Sequence, residues 1–372
     1  MTRPNERLLA VDTLRGLVMV LMALDHVDHA TNPNHAGADS ALIDAGALSA
    51  PDFLLRWLTH LCAPTFVLLA GTSIALSAAS ARHLLQRSAV IIALEFTLVS
   101  WYWRVGEQMP TSWLPVFAQV LWAIGGGIAL MTLLRRLPSA ALLALAAALL
   151  VAAELVRSAT LADTWFQPRA TSLLFTGGIW SAGGDDSVAL FVLYPLLAWL
   201  PALLFGFVLG RRLVDGTATP RLCAIAGSAS LALFLALRGF DGFGNMALHR
   251  RGGGLLEWLH CSKYPPSITF FALELGLALL LLAALLRAEG LLARLGRLNP
   301  LTTLGRVPMF YYLLHLPVIG ALMLWGILPA HGQGSAAETP RGTLIVVLAC
   351  LPFCAGYAWY KRRYRHAWTR YL

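Results

Sequence analysis

Residues 11–30, VDTLRGLVMVLMALDHVDHA, form an apolar run that is long enough to cross a bilayer and carries ionisable side chains near both ends. A transmembrane helix needs about 20 predominantly apolar residues. A charged side chain at the bilayer centre costs roughly 3 kcal/mol or more unless it is paired or faces a polar cavity. We therefore expect the polar residues of this run to have a function. They are Asp12, Arg15, Asp25, His26, Asp28 and His29.

The rest of the chain has the same apolar character. Of its 372 residues, 58% are hydrophobic and 13% are charged, whereas about 25% of the residues of a typical soluble domain are charged. This composition predicts an all-α, polytopic transmembrane helix bundle, with residues 1–372 forming one integral membrane domain in a lipid bilayer. The net charge of +9 is spread over short loops instead of one patch, so we expect no nucleic-acid partner.

Apolar segments of sufficient length predict about ten helices. Gly206 and Gly210, and Gly71 with Ala75, have the spacing of helix–helix contacts in membranes. The segment 157–187 fits no span, and its run SLLFTGGIW is compatible with a short re-entrant piece. The predicted spans are residues 8–29, 53–80, 88–106, 113–134, 138–156, 188–210, 221–238, 265–287, 305–328 and 342–360.

The distribution of basic residues predicts the orientation of these spans. With the N-terminus inside, 18 of the 28 Lys and Arg residues fall on the inner side, nine fall on the outer side, and Arg15 lies within the first span. Short cytoplasmic loops carry an excess of Lys and Arg. We therefore expect a multi-pass protein with both termini in the cytoplasm.

Three predicted spans bring ionisable side chains to the outer side of the membrane. The first span ends there, and the second and eighth spans begin there. Because these groups share one depth, the sequence favours a polar site at the outer membrane surface. The residues of this outer layer are Asp25, His26, His29, Arg56, His60, His260 and Lys263.

Asp25, His26 and His29 occupy neighbouring positions on the first helix, since residues three or four apart share a helix face. A carboxylate beside an imidazole fixes its tautomer and stabilises the imidazolium, as a general base for acyl transfer requires. The structural alternative is that Asp25 and His26 only solvate or cap the outer helix end. The matching depth of His60 and Lys263 leaves both interpretations open.

A second group of polar residues lies deeper in the predicted bundle. Arg15 is about 10 Å from the inner surface, and Glu95 on the third span has the same predicted depth, so we expect these two to pair. His315 falls near mid-membrane. The structural alternative is again simple: intramembrane charges must pair, and a lone histidine hydrogen-bonds a neighbour.

The histidines also raise the question of a metal or a haem. His26, His29 and His60 could supply three imidazoles, and His26 with His60 could be the axial ligands of a haem. A structural zinc ion needs a fourth ligand, and Cys62, two residues after His60, points to another face of the helix. We expect neither metal nor haem. The sequence also lacks a Walker loop, a G-x-S-x-G elbow and a dinucleotide fingerprint.

Five short motifs carry a resemblance to a known family. They are DTLRG at 12–16, DH at 25–26, RWLTHLCAPTFVLLAGTS at 56–73, SKYPPS at 262–267 and NPLTTLGRVPMFYYLLH at 299–315. With these motifs in this order, the chain resembles the bacterial DUF1624 membrane proteins. Those proteins are related to the heparan-alpha-glucosaminide N-acetyltransferase catalytic domain and, more distantly, to the YeiB-like and acyltransferase-3 membrane proteins.

The resemblance implies a transmembrane acyltransferase of the bacterial cytoplasmic (inner) membrane. Such a protein passes an acyl group, usually acetyl, from cytoplasmic acyl-CoA to an amine or hydroxyl of an extracytoplasmic glycan or sugar. In the heparan enzyme a histidine beyond the outer end of the first helix is catalytic, and this region here contains His26, His29 and His35. The related acyltransferases use an Arg and a His in the first helix, which Arg15 and His26 could represent.

Together these observations predict a mechanism. Arg15 and Arg306 hold the phosphates of acyl-CoA, and His315 lies along its pantetheine arm. The acceptor is then deprotonated by an imidazole that Asp25 orients, and a nearby cation or imidazole stabilises the oxyanion. The predicted catalytic residues are Asp25, His26, His29, His60 and Lys263.

A competing function class is a membrane carrier, channel or proton-relay protein without acyl-transfer activity, in which the same outer groups relay protons or bind a substrate. Acyl-CoA binding distinguishes the two classes, because only the enzyme requires it. Association of identical chains is compatible with the sequence, which does not determine it.

Overall fold

The computed structural model of the protein describes residues 8–35, 49–109, 114–159, 169–182, 188–296, 299–364 and 368–371. Most of these residues are helical. The helices before residue 160 are α1 (Leu9–Thr31), α2 (Ala50–His60), α3 (Cys62–Leu76), α4 (Ala81–Leu94), α5 (Ser100–Gly106), α6 (Val120–Leu134) and α7 (Ser139–Ala159). The later helices are α8 (Arg169–Thr171), α9 (Leu196–Val214), α10 (Pro220–Phe240), α11 (Leu255–Leu259), α12 (Ile268–Arg287), α13 (Glu289–Leu295), α14 (Pro300–Arg306), α15 (Pro308–Leu324) and α16 (Thr339–Arg363). Two π-helical turns, Glu95–Val99 and Ser172–Thr176, and a 3₁₀ turn, Trp368–Tyr371, complete them.

The all-α polytopic class is confirmed. Among the described residues, seven helical segments are long and apolar enough to cross a bilayer, and α14 with α15 makes an eighth if the bent pair counts as one span. Two further predicted spans do not meet this standard: α1 carries several charged residues, and α6 has only 15 residues. We call the side that holds the first turn of α1 and the last turn of α16 the inner side.

The predicted span 305–328 begins at a break between two helices. Only its first two residues belong to α14, which meets α15 at an angle of 102°. Val307 between them has φ −133° and ψ 49°, and Pro308 follows it. The ring of a proline disfavours the helical conformation for the residue before it, and proline has no N–H to donate. The Val-Pro pair therefore ends α14 and starts α15 in a new direction.

A small sheet, which the sequence did not predict, interrupts the helical pattern. Its strands are β1 (Leu114–Ala118), β2 (Gly178–Ala182) and β3 (Val188–Val192), in the order β1-β3-β2, with β1 parallel and β2 antiparallel to β3. The predicted spans 113–134 and 188–210 thus begin as strands, and 157–187 contains β2. Phe117 and Phe191 are partners in the sheet, and their rings stack with centroids 4.9 Å apart.

Glycines allow close helix crossings in the bundle. A Cβ atom built on Gly71 of α3 would lie 2.0 Å from the Leu203 carbonyl oxygen of α9, and one on Gly206 would lie 1.8 Å from the Leu68 carbonyl oxygen of α3. Gly210 packs against Ala75 in the same crossing. The two small-residue pairs that the sequence singled out therefore meet each other, as close backbone contact in a membrane requires.

A second glycine crossing joins α1 to α14. A Cβ on Gly16 would lie 1.8 Å from the Leu301 carbonyl oxygen, and one on Gly305 would lie 1.8 Å from the Asp12 carbonyl oxygen. The first helix is also anchored at its start, because Glu289 of α13 accepts hydrogen bonds from the amides of Leu9 (2.8 Å) and Ala10 (2.9 Å). These amides have no partner within their own helix.

Candidate active site

A cavity of about 190 Å³ on the inner side collects positive charge. It lies among α1, α3, α4, α6, α14, α15 and α16. Apart from four basic side chains and Ser73, the residues that line it are apolar. The buried Nε atoms of Arg87 and Arg306 make no hydrogen bond within the described residues. Donors of this kind suit an anion with several oxygen atoms, such as a phosphate. The basic residues of this inner cavity are Arg15, Arg87, Arg306 and Lys361.

The crossing of α1 and α14 fixes two of these arginines. Arg15 donates to Asp12 (2.9 Å), to the Gly305 carbonyl oxygen (3.0 Å) and to Ser73 (2.9 Å). Arg306 Nε lies 3.8 Å from the second oxygen of Asp12. One carboxylate therefore serves two guanidinium groups, and the cavity keeps an excess of positive charge.

The predicted pair between Arg15 and Glu95 is wrong. Glu95 is completely buried, and its two oxygens accept the amide hydrogens of Gln119 (2.8 Å) and Leu121 (3.1 Å), at the start of α6. The error came from the helix boundary: the span was predicted to begin at residue 88, but α4 begins at Ala81. Glu95 is thus about 21 Å along the span, well past the depth of Arg15.

A second, smaller cavity of about 40 Å³ lies further outward, and we call it the chamber. It brings together Asp25, His26 and Lys263, which belong to segments far apart in the sequence. His29 and His60 lie outside its described lining, and the ring of His60 packs against Phe270 with centroids 5.8 Å apart. The other lining residues are Met22, Thr59, Cys62, Ala63, Phe66, Gln119, Val120, Tyr194 and Tyr312.

Asp25 does not orient a histidine in the way the sequence predicted. Its carboxylate accepts hydrogen bonds from Arg56 and from the Thr59 hydroxyl (2.6 Å). The nearest nitrogen of His26 is 4.0 Å away, beyond hydrogen-bond distance. Asp25 thus acts on His26 through its negative charge. The position of the Asp25 carboxylate itself is set by its hydrogen bonds to α2.

His26 is oriented by another histidine. Nδ1 of His315 lies 3.0 Å from the Tyr311 carbonyl oxygen, and since a carbonyl only accepts, this nitrogen carries the proton. Nε2 of a neutral His315 then accepts from His26 Nδ1, 2.6 Å away. Nε2 of His26 keeps a free lone pair. His315, which was predicted to bind the cofactor, lies outside the described lining of the inner cavity and instead fixes the tautomer of His26.

The structure adds a carboxylate–imidazole pair that the sequence analysis did not single out. Asp28 is buried and accepts from His35 Nδ1 (2.8 Å), Asn32 Nδ2 (3.0 Å) and the Thr339 hydroxyl (3.0 Å). His35 Nδ1 is therefore protonated and its Nε2 is basic. Burial lowers the pKa of His35, the charge of Arg56 lowers it further, and the Asp28 hydrogen bond raises it. A turn at residues 32–35 brings the His35 ring back over the outer end of α1. The sequence signal for this turn is the run TNPN at residues 31–34, since Asn and Pro favour turns.

His29 lies next to His35 but contacts a different acid. Its Nε2 contacts Glu107 beyond the end of α5, and its ring lies edge-on to His35 (4.7 Å between centroids) and to Trp103 (4.9 Å). Trp103 also contacts His26, at 5.5 Å. The imidazoles of His26, His29 and His35 therefore form one connected group, which we call, with Asp28 and Glu107, the outer cluster.

The contact between His29 and Glu107 predicts a pH-dependent contribution to stability. The hydrogen bond from His29 lowers the pKa of Glu107 below its usual value of 4.5. A carboxyl with a lowered folded-state pKa stabilises the fold above its unfolded pKa, and this contribution disappears as the pH falls through the folded value. We expect Glu107→Gln to lower stability by about 1 kcal/mol or less at neutral pH and to have no effect in strong acid.

Thermal unfolding in detergent across acidic and neutral pH measures this difference. Glu338→Gln is the matched control, because Glu338 is exposed and its carboxylate accepts a hydrogen bond from the Ser335 hydroxyl (3.0 Å). A constant difference between Glu107→Gln and the unsubstituted protein at every pH would contradict the assignment.

The fold defines the chain as a multi-pass helical membrane protein. Within that class, residues 7–239 match the sequence model of the family described as heparan-alpha-glucosaminide N-acetyltransferase, catalytic. This match covers more than half of the chain, so the protein belongs to that family. It includes α1 to α9 and most of α10, while Lys263, Arg306 and His315 lie beyond it. No curated protein matches the sequence.

In the part of the chain that the structure describes, no three His, Cys, Asp or Glu side chains are grouped so that they could hold a metal ion.

Proposed function

We propose that this protein transfers an acyl group, most simply acetyl, from cytoplasmic acyl-CoA to an amine or hydroxyl of an extracytoplasmic glycan or sugar. Membership of an N-acetyltransferase catalytic family supports this reaction type. The observation that carries the proposal is the succession of two cavities along the same helices, a cationic one on the inner side and one with imidazole and carboxylate groups further outward.

The inner cavity is the donor site in this proposal. Coenzyme A carries a diphosphate and a further phosphate, and guanidinium groups bind phosphate oxygens with strong, charge-assisted hydrogen bonds. Arg87 and Arg306 contribute the Nε donors that make no hydrogen bond among the described residues. The apolar part of the lining suits the pantetheine arm, which would point outward toward the chamber.

The outer cluster is the acceptor site. Asp28 holds His35 by its protonated Nδ1 and leaves Nε2 as the basic nitrogen. His35 takes the proton of the acceptor amine or hydroxyl as the acceptor nitrogen or oxygen attacks the thioester carbon. The C–S bond breaks, coenzyme A leaves as the thiolate, and the proton that His35 took from the acceptor passes to this thiolate. Lys263, which is 3% exposed, supplies the charge that stabilises the oxyanion. His26 lies beside the acyl group in the chamber. His315 fixes the tautomer of His26, and the negative charge of Asp25 acts on its ring.

The orientation of the protein follows from the same proposal. The excess of basic residues on the inner side supports termini in the cytoplasm of a bacterium, with α1 running outward through the inner membrane. The donor then comes from the cytoplasm and the acceptor from outside.

Acyl-CoA binding by the purified protein tests the donor site. A ligand that binds only the folded state at 100 times its Kd adds about 2.7 kcal/mol of stability, so acetyl-CoA should raise the Tm in detergent by several degrees. We expect Arg87→Gln and Arg306→Gln each to raise the Kd by about tenfold or more, since a hydrogen bond to a charged group contributes about 1.5–3 kcal/mol.

Arg212→Gln is the matched control, because Arg212 is a basic residue on the inner side that does not line this cavity. It should leave the Kd unchanged. An absent Tm shift in the unsubstituted protein would favour the carrier or proton-relay function over the enzyme. Incubation with labelled acetyl-CoA and envelope glycans then identifies which acceptor becomes labelled.

A further inference from the structure

One aromatic side chain lies between the two cavities. Phe66 of α3 belongs to the lining of the inner cavity and to that of the chamber, and no other described residue lines both. We propose that Phe66 is a movable partition that separates the donor site from the chamber and limits the length of the acyl group that enters. The part of this inference that concerns the acyl group rests on the proposed function.

The neighbouring helices show that the two cavities are consecutive parts of one path. On α6 the chamber is lined by Val120 and the inner cavity by Ile124, one helical turn inward. On α15 the corresponding residues are Tyr312 and Met309. One turn of a helix is about 5.4 Å, so only one layer of side chains separates the cavities on these helices. On α3 that layer is Phe66.

The position of Phe66 suits a partition because it is apolar and almost completely buried, with 9% of its surface exposed. A phenyl ring there keeps water and ions of the cationic cavity away from the imidazole and carboxylate groups of the chamber. Rotation of the ring about its side-chain bonds opens the path without a backbone movement. The chamber of about 40 Å³ beyond it has room for only a small acyl group.

A native cysteine can report the opening without any acyl transfer. Cys62 lines the chamber and lies one turn from Phe66 on α3. Buried thiols in apolar surroundings react slowly. A membrane-impermeant, negatively charged methanethiosulfonate, whose charge suits the cationic inner cavity, is added to inverted vesicles, on the side that holds Lys361. The background protein keeps Cys62 and carries Cys223→Ala, Cys261→Ala, Cys350→Ala and Cys354→Ala.

We expect Phe66→Ala to accelerate labelling of Cys62 from this side by about tenfold or more. Leu69→Ala is the matched control, since Leu69 lies one turn inward on the same helix and lines the inner cavity only; it should label at the background rate. Phe66→Leu should give a smaller increase, and it replaces Phe66→Ala if that variant does not fold. Labelling at the background rate in a folded Phe66 variant would overturn the partition.

Acyl-chain selectivity tests the second part of the proposal. A hydrophobic pocket distinguishes one methylene group by roughly 10–200-fold, so Phe66→Ala should raise the turnover with butyryl-CoA relative to acetyl-CoA by at least about tenfold. An unchanged ratio would overturn the role in selectivity. If every protein, including the unsubstituted one, transfers no acyl group, the proposed function fails, while Cys62 labelling still decides whether Phe66 separates the cavities.

Discussion

Replacement of His35 by glutamine should lower acyl-transfer turnover by about 10²–10⁴-fold, the usual contribution of a general base. Glutamine keeps the size and polarity of the side chain but cannot take a proton. Because His35 lies at the outer end of α1, away from the inner cavity, stabilisation by acetyl-CoA should be retained. The measurement is the transfer of labelled acetyl groups to an amine or hydroxyl acceptor, beside the Tm shift of the same preparation.

Two further variants separate a base from a structural histidine. Asp28→Asn keeps the shape of the pair but removes the charge that stabilises a protonated His35, so it should lose most of the turnover as well. His249→Gln is the control, because His249 is exposed and hydrogen-bonds the Asp241 carbonyl oxygen. Normal turnover in His35→Gln together with strong loss in His26→Gln would move the base to His26.

The pH profile gives an independent check of the same residue. Burial and the charge of Arg56 lower the pKa of His35. A base with a lowered pKa stays neutral, and therefore active, at neutral pH, and turnover falls only as the pH drops through the lowered value. A loss of turnover that begins above the ordinary pKa of histidine, about 6.5, would contradict this assignment.

Gly206→Ala should be one of the most damaging single methyl additions in the bundle, together with those at Gly16 and Gly305. The new Cβ would lie 1.8 Å from the Leu68 carbonyl oxygen, so α3 and α9 must move apart where they cross. Backbone atoms cannot turn away as a flexible side chain can. Overpacking typically costs about 1–3 kcal/mol and occasionally more, a large part of the roughly 5–15 kcal/mol by which a folded protein is stable, so both the Tm and the yield of folded protein should fall.

Gly320→Ala provides the matched control for this prediction. Gly320 also lies inside a helix, α15, but a Cβ built there meets no atom within 4 Å. Its Tm should be unchanged or slightly higher, since alanine favours a helix by about 1 kcal/mol over glycine. Thermal unfolding and the yield of monodisperse protein measure both variants. Equal stability of Gly206→Ala and Gly320→Ala would show that the crossing is looser than described.

Several features of the site could be predicted from single helices. Depth along each span placed Asp25, His26 and Lys263 in one layer, and the chamber brings them together. Arg15 and Arg306 were both expected on the inner side, and they line one cavity. Such predictions need only the rise of a helix and the position where it enters the membrane.

The partners of these residues could not be predicted in this way. His26 and His315 are 289 positions apart in the sequence, and nothing local indicates that their rings meet. Asp25 turned out to bind Arg56 and Thr59 of α2, and the acid beside an imidazole turned out to be Asp28 with His35. Which side chains touch depends on how each helix is rotated about its axis, and long-range packing sets that rotation.

The sequence by itself determined that this is a helical protein of the membrane, approximately where its helices run, and the family to which it belongs. Those properties follow from apolar length and motif order, which are local. Only the tertiary structure decided that the charged first helix lines two cavities, that His315 fixes the tautomer of His26, and that Phe66 lies between the inner cavity and the chamber. These depend on glycine crossings such as Gly16 with Leu301, where two backbones separated along the chain come into contact.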